Sequence, residues 1–194
     1  MAVTVATESQ QQTKALAPAF TQRRLHGAAT LRIIFGMIWS IDASFKFLPG
    51  FVHGQTLSKE LGAAADIHTP VIHQWILLWH NVGTANPAAF AIGTGVIESL
   101  IAFSLLTGAF SNVAFIGSAV FSFGIWSAAE GFHLPWTKAG ITDLGPSVAY
   151  IFASLLLFVA CAGATWSVDG WLRPRLARVG LGWMSSKSPA ELAA

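Results

Sequence analysis

The chain has 194 residues, of which 54% are hydrophobic and only 10% are charged (11 Lys and Arg, 9 Asp and Glu), and the mean hydropathy is +0.59. Soluble domains carry charge on roughly 25% of their residues, so this composition excludes a soluble enzyme, a disordered chain and a nucleic-acid-binding protein. The single cysteine, Cys161, excludes a disulfide framework and a Cys-x-x-Cys redox centre. The composition therefore predicts an integral protein of a lipid bilayer.

Polar segments flank the apolar part of the chain. Residues 1–27 are polar and rich in Ala, Thr and Gln, and they lack the apolar core and cleavage site of a signal peptide. We expect them to form a mobile N-terminal tail. The membrane domain is expected to cover 28–172, and 173–194 to form a basic C-terminal tail.

Four apolar stretches lie between these flanks, at about residues 28–48, 87–108, 112–130 and 144–166. Each has roughly 19 to 23 residues, enough for a helix to cross the ~30 Å hydrocarbon core. Unpaired backbone groups cannot face lipid, so helices are expected rather than open strands. The sequence predicts an all-α fold, a polytopic four-helix membrane bundle.

The Lys and Arg residues predict how these spans are oriented. The two longer loops, 49–86 and 131–142, hold only Lys59 and Lys138. The flanks are richer in basic residues, with Lys14, Arg23 and Arg24 before the first span and Arg173, Arg175, Arg178 and Lys187 after the fourth. By the positive-inside rule, both termini are expected in the cytoplasm and both loops on the outer face.

The first outer loop contains a helix signal of its own. Thr69-Pro70 is typical of a helix start, and the apolar and polar residues of 71–80 fall on opposite faces of a helix. At about ten residues, this segment is too short to span the membrane. We expect a short amphipathic helix at the membrane interface, with Trp75 and Trp79 at headgroup depth.

Ionisable residues inside predicted spans mark candidate sites because they are costly in lipid. Asp42 and Lys46 are four residues apart and can pair on one helix face, either as a structural ion pair or as part of a site. Glu98 lies ~16 Å from the outer end of its span at the helical rise. It is expected either to line a functional cavity or to lock helices together. An outward-opening pocket with Glu98 as its floor follows from the first alternative.

The outer ends of the spans hold further polar residues that could bind a substrate, namely Glu130, His133, Asp143 and Tyr150. Tyr150 is equally typical of an interfacial aromatic belt. His68, His73 and His80 are weak metal-ligand candidates because their spacing matches no closed metal-site motif, and interfacial histidines are the alternative. No predicted span contains a histidine, so we expect no haem held between two transmembrane helices.

Three stretches carry a family resemblance. The run Leu31-Arg32-Ile33-Ile34-Phe35-Gly36, followed by Lys46, resembles the opening helix of DoxX-like membrane proteins. Glu98 and Gly108 match the spacing of ten in the family's second helix. The stretch 142–150, running on to 162–163 and 167–169, resembles the fourth helix of the DoxD branch, the small subunit of thiosulfate:quinone oxidoreductase. The resemblance covers roughly residues 28–173.

The resemblance implies a four-helix membrane bundle that takes part in oxidising thiosulfate to tetrathionate, with electrons passed to membrane quinone. By position, Arg32, Lys46 and Glu98 would form the polar centre, with Asp143 at its mouth. Together with Asp42, the first three are the expected catalytic residues, and Lys46 is also expected to bind substrate. Asp42 departs from the family, in which many relatives have His or a small residue there.

Three functions are compatible with these features. The first is a redox subunit of the cell membrane, in which Lys46 attracts the thiosulfate dianion and quinone exchanges protons through Glu98. It requires direct two-electron chemistry or a partner subunit with the redox centre, since no electron-carrying cofactor site is recognised. The second is a non-catalytic membrane anchor or accessory subunit of a larger oxidoreductase. The third is a small transporter, for which four spans are few. A partner subunit or a homo-oligomer is expected.

Overall fold

The computed structural model describes residues 2–53, 55–65, 67, 69–134, 136–137 and 140–193, and it describes their side chains except in 2–20 and 63–65. All regular secondary structure within these ranges is helical. The prediction of an all-α protein is therefore confirmed.

Nine α-helices lie within the described residues. They are α1 (Ala2–Lys46), α2 (Pro49–Val52), α3 (Gln55–Ala65), α4 (Pro70–Ala85), α5 (Pro87–Thr107), α6 (Ser111–Ala128), α7 (Pro146–Val159), α8 (Asp169–Ala177) and α9 (Pro189–Ala193). Two 3₁₀ turns, Gly131–His133 and Gly182–Met184, follow α6 and α8.

Three helices of the described chain are long and apolar enough to cross a membrane: Thr21–Lys46 within α1, then α5 and α6. Their outward faces carry large apolar side chains, such as Leu100, Phe103 and Val120, each more than 60% exposed. Water would penalise such surfaces, whereas lipid tails cover them. The membrane character of the protein is confirmed at this level.

The fourth predicted span, 144–166, is helical only over α7, and irregular turns follow Val159. The 14 residues of α7 measure about 21 Å along the axis, less than the hydrocarbon core. Cys161, two residues after the end of α7, has a left-handed backbone angle (φ 51°), as does Trp166 (φ 49°) in the turns that follow. The full-length fourth span therefore remains a prediction.

The predicted boundaries hold best where capping residues occur. Asn86 caps α5 by accepting a hydrogen bond from the Ala89 amide (3.1 Å), and Gly108 ends it with φ 67°. The helical backbone of α1, however, begins at Ala2 and continues through the segment expected to be a tail. The mobility of that segment stays a prediction.

The segment 49–86, expected to be the first outer loop, is more helical than expected. The predicted helix over 71–80 is instead α4, which begins at Pro70 and continues to Ala85, and α2 and α3 precede it. Leu57 and Leu61, four residues apart, are buried on one face of α3, which packs against α4 near Gly83. The loop therefore folds over one end of the membrane domain.

The core forms where α1 packs on α5 and α6 packs on α7. Gly36 allows the first contact, since a Cβ there would lie 3.0 Å from the Leu106 amide nitrogen. Phe35, Trp39 and Phe115 fill the centre. At the end where α5 joins α6, the buried carboxylate of Asp169 accepts hydrogen bonds from three backbone amides, those of Phe110 (2.8 Å), Ser111 (3.0 Å) and Ser186 (2.9 Å).

Candidate functional site

A cavity of ≈ 480 Å³ opens at the other end, where α1 and α6 finish and α7 begins. This volume is within the range of small-molecule sites, about 300–1,000 Å³. Its lining combines aromatic and ionisable side chains: Trp39, Asp42, Lys46, Glu60, Glu98, Ser122, Ile125, Ala129, Glu130, His133, Pro146, Ser147 and Tyr150. The structure thus brings together six of the predicted site residues, Asp42, Lys46, Glu98, Glu130, His133 and Tyr150.

The α1 wall consists of Trp39, Asp42 and Lys46, whose spacing of three and four residues puts them on one helix face. The Tyr150 hydroxyl of α7 donates a 2.7 Å hydrogen bond to Asp42 Oδ2. The Trp39 ring lies edge-on to that of Tyr150, with centroids 5.3 Å apart. Tyr150 is therefore part of the site wall rather than only an interfacial aromatic.

Glu98 projects into the cavity from the middle of α5, and its side chain is 1% exposed. Its Oε1 lies 3.9 Å from Lys46 Nζ, which also sits 4.5 Å from the centroid of the Phe51 ring. Of the two alternatives for Asp42 and Lys46, the structure does not show the ion pair between them, because Lys46 pairs with Glu98 and Asp42 accepts a hydrogen bond from Tyr150. Helix packing causes this: a Cβ on Gly95 would lie 3.0 Å from Lys46 Cβ, so Gly95 brings the end of α1 against α5.

Glu130 connects α6 to the start of α7. Its Oε1 accepts hydrogen bonds from the Ser147 hydroxyl (2.5 Å) and the Ser147 amide (3.3 Å), both in the first turn of α7. A carboxylate is favoured there because the unpaired amides of a helix N-terminus carry partial positive charge. Gly145, with φ 84°, leaves room for it, since a Cβ at that position would collide with Glu130 Oε2.

His133 lies at the rim, in the turn that follows α6. The backbone of Phe132 and His133 is left-handed (φ 66° and 40°), which turns the chain back over the cavity. His133 Nδ1 is 3.7 Å from Asp143 Oδ1, and the Asp143 side chain is 74% exposed. Asp143 is therefore placed between the cavity rim and the surface, outside the lining itself.

Sequence reasoning missed four polar lining residues. Glu60 comes from α3, in the segment expected to be a loop, and burial raises its pKa while nearby Lys46 partly opposes the shift. The other three are Ser122, Trp39 and Ser147. A tryptophan and a serine within predicted spans were the available signal, because polar atoms in lipid need partners.

The cavity contains an excess of unpartnered polar atoms. Of the eight buried side-chain nitrogen and oxygen atoms that lack a hydrogen-bond partner in the described chain, five belong to its lining: Trp39 Nε1, Glu98 Oε2, Ser122 Oγ, Glu130 Oε2 and His133 Nδ1. Buried polar atoms in folded proteins nearly always have partners. This concentration indicates a place for water or a polar ligand. Four carboxylic acids face Lys46 and His133, so the cavity is acidic overall.

Arg32 is not in the cavity, which corrects its expected place in the polar centre. It lies 14 residues before Lys46 on α1, about 21 Å along the helix. Its buried guanidinium donates hydrogen bonds to the carbonyls of Leu105 (2.9 Å), Ala162 (3.0 Å), Thr165 (3.3 Å) and Trp166 (2.6 Å). It thereby supplies hydrogen-bond donors to the backbone carbonyls of the irregular turns after α7, which lipid tails could not provide.

The candidate metal ligands His73 and His80 do not line the cavity. His73 and His80 lie on α4, and His73 Nδ1 is 2.9 Å from the Ile67 carbonyl. Within the described ranges, no three His, Cys, Asp or Glu side chains form a group that could hold a metal ion. His68 lies outside the described residues.

No protein-family model, curated protein or solved structure matches the chain.

Proposed function

We propose that the cavity binds a membrane quinone and that the chain is the quinone-reactive subunit of a DoxX-like, DoxD-branch oxidoreductase linked to thiosulfate oxidation. The observation that carries the proposal is the set of unpartnered polar atoms facing an aromatic-lined cavity. A quinone presents two carbonyl acceptors on a flat ring. Trp39 Nε1 and Ser122 Oγ supply hydrogen-bond donors, and the rings of Trp39 and Tyr150 supply apolar contact.

The carboxylic acids suit the chemistry of quinone reduction. Conversion to the quinol consumes two electrons and two protons, so a site needs groups that can deliver protons to the ring oxygens. Glu98, whose Oε2 is buried and unpartnered, is placed to hand over a proton, and Lys46 at 3.9 Å from Oε1 compensates its charge once the proton has left.

The negative charges of the cavity carboxylates disfavour the binding of thiosulfate, which is a dianion. At an effective dielectric constant of 20, two like charges about 5 Å apart repel by about 3 kcal/mol. With Glu98 holding its proton, a dianion in the cavity would still be repelled by the carboxylates of Asp42, Glu60 and Glu130, with Lys46 as the fixed cation among the lining residues. We therefore place thiosulfate oxidation on a partner subunit, whose redox centre would send two electrons, taken from two thiosulfate ions per tetrathionate formed, to the quinone here.

The proposed membrane arrangement is a multi-pass protein of the cell membrane with four spans. α7 and the turns after it would form the fourth. The Lys and Arg residues of the flanks favour cytoplasmic termini, which would put the cavity in the outer half of the bilayer.

Quinone binding tests the proposal directly. The full chain in lipid nanodiscs is titrated with decylubiquinone by isothermal calorimetry. Trp39→Phe removes one donor but keeps the ring, so the Kd should rise by about five- to tenfold, equivalent to ~1 kcal/mol for one hydrogen bond. Trp75→Phe, on α4 and away from the cavity, is the matched control and should bind like the wild type. No binding by the wild type, or equal Kd values for the two variants, would refute the proposal.

The second candidate function is the non-catalytic anchor, which the surface of α4 favours. Val71, Leu78 and Val82 are 83%, 53% and 48% exposed, and their spacing of seven and four residues puts them on one helix face. A partner could pack there. Under this function, Val71→Ser with Leu78→Ser should reduce the amount of thiosulfate-oxidising activity bound to membranes, while Glu98→Gln should leave it unchanged.

A further inference from the structure

We infer that Asp143, His133 and Glu130 form a proton-entry path from water to the cavity, ending at Glu98. Asp143 stands at the surface, His133 at the rim, and Glu130 and Glu98 within the lining. The inference extends the proposed function, because it names the route by which Glu98 would regain each proton that it gives to a quinone.

The outer step of the path joins an exposed carboxylate to a buried imidazole nitrogen. Asp143 Oδ1 also accepts a 2.8 Å hydrogen bond from the Gly145 amide, which fixes the carboxylate beside the rim. His133 Nδ1 lies 3.7 Å from the same oxygen and has no hydrogen-bond partner. A distance of 3.7 Å is slightly too long for direct transfer, and a small shift of either side chain or one water molecule closes it.

The inner step passes over Gly145. A Cβ on this glycine would collide with Glu130 Oε2 and would lie 3.5 Å from His133 Nδ1, so both atoms face the same small space. Both are buried and without a hydrogen-bond partner. Glu130 Oε1, by contrast, is fully engaged with Ser147 at the start of α7. One oxygen of Glu130 thus holds the helix, and the other is left to accept a proton from His133.

From Glu130 the path continues through the cavity. Glu130 Oε2 and Glu98 Oε2 belong to the same polar space, and water there would carry a proton between them. One proton enters at Asp143 for each proton that leaves Glu98, so the path itself ends each cycle unchanged. The other titratable or charged groups that face this space are Asp42 and Lys46 on α1, Glu60 on α3 and Tyr150 on α7.

The test measures proton arrival at Glu98 without any turnover. In the full chain in nanodiscs, a caged acid releases protons in a flash, and time-resolved infrared spectroscopy follows the rise of the carboxylic C=O band of Glu98. Glu98→Gln identifies that band by its loss. Asp143→Asn keeps the oxygen that the Gly145 amide needs but cannot carry a proton. His133→Asn is chosen because asparagine tolerates the left-handed backbone of position 133.

Asp143→Asn and His133→Asn should each slow the protonation of Glu98 by about tenfold or more, which is the effect expected from losing one proton-transfer group. His80→Asn, a histidine of α4 outside the cavity lining, is the matched control and should react at the wild-type rate. Rates equal to the wild type in Asp143→Asn would overturn the inference, and this variant alone decides if His133→Asn fails to fold.

Decylubiquinone binding separates this inference from the proposed function. Asp143 lines no part of the cavity, so Asp143→Asn should bind the quinone with the wild-type Kd while its Glu98 protonates slowly. Slow protonation without any quinone binding would support the path and reject the quinone. Normal binding with an unchanged protonation rate would do the reverse.

Discussion

The Tyr150 hydroxyl donates a 2.7 Å hydrogen bond to Asp42 Oδ2, joining α7 to α1 across 108 residues of sequence. The two side chains form one corner of the cavity, and the rings of Phe35 and Trp39 pack against Tyr150 with centroids 5.5 and 5.3 Å away. The bond therefore ties the wall that carries Lys46 to the helix whose first turn is held by Glu130.

Removing the Tyr150 hydroxyl should destabilise this corner. Tyr150→Phe keeps the ring contacts but leaves a half-buried carboxylate without its donor, and hydrogen bonds to charged groups contribute ~1.5–3 kcal/mol. We expect the free energy of unfolding to fall by about 1–2 kcal/mol, measured by titration with SDS in mixed micelles. In a double-mutant cycle, Tyr150→Phe should have little further effect in an Asp42→Ala background. Additive losses would contradict a direct bond.

Arg32 should be needed for stability in a way that lysine cannot replace. Its planar guanidinium reaches carbonyls of α5 and of the turns after α7 at once, whereas an ammonium group is a single point donor. Arg32→Lys should lower the free energy of unfolding by about 2–4 kcal/mol, the cost of leaving several buried carbonyls unpaired. Arg178→Lys, on an exposed residue, should stay within about 0.5 kcal/mol of the wild type. If Arg32→Lys lowered the free energy of unfolding no more than Arg178→Lys does, the planar geometry of the Arg32 guanidinium would be unimportant for stability.

Asp169 should hold the C-terminal segment against the start of α6. Its Oδ2 accepts hydrogen bonds from the amides of Ser111 and Ser186, and its Oδ1 accepts one from the amide of Phe110. Asp169→Asn replaces one of these oxygens with an NH2 group, so at least one backbone amide would face a donor instead of an acceptor. We expect faster trypsin cleavage after Lys187 and a loss of about 2–3 kcal/mol in unfolding free energy. Asp143→Asn, at an exposed aspartate, is the control for removing one charge. An unchanged cleavage rate in Asp169→Asn would show that Asp169 does not hold the C-terminal segment against α6.

The contact between Glu191 and Arg173 should depend on pH. The Ser188 amide first, and then the Arg173 side chain, lower the pKa of Glu191 from 4.5 to about 2. A depressed carboxyl pKa stabilises the folded segment above pH 4.5, and this contribution is lost as the pH falls from 4.5 towards 2. Carboxyl ¹³C NMR of glutamate-labelled protein, assigned with Glu191→Gln, should show this low pKa. Arg173→Gln should raise the pKa of Glu191 only in part, because the hydrogen bonds from Ser188 remain. An ordinary glutamate pKa in the wild type would contradict the contact between Arg173 and Glu191.

The sequence by itself determined the class of protein and much of the site. The low charge and the long apolar stretches required lipid as solvent. The predicted span 87–108 matches α5 closely because the caps at its ends, Asn86 and Gly108, act locally. Six of the lining residues could be selected one by one, because each is a polar group in or beside an apolar stretch, where an unpartnered polar group is costly. They are Asp42, Lys46, Glu98, Glu130, His133 and Tyr150.

Tertiary structure alone decided which of these groups meet. The spacing on α1 allowed Asp42 to pair with Lys46. Gly95 instead permits a close approach of α1 to α5 that places Lys46 beside Glu98, and the packing of α7 places the Tyr150 hydroxyl on Asp42. Arg32 is separated from the cavity by the length of α1, and Glu60 is brought to it by a helix in a segment that reads as a loop. Local sequence fixes the faces of single helices, whereas contacts between helices depend on packing across the whole chain, which no local pattern records.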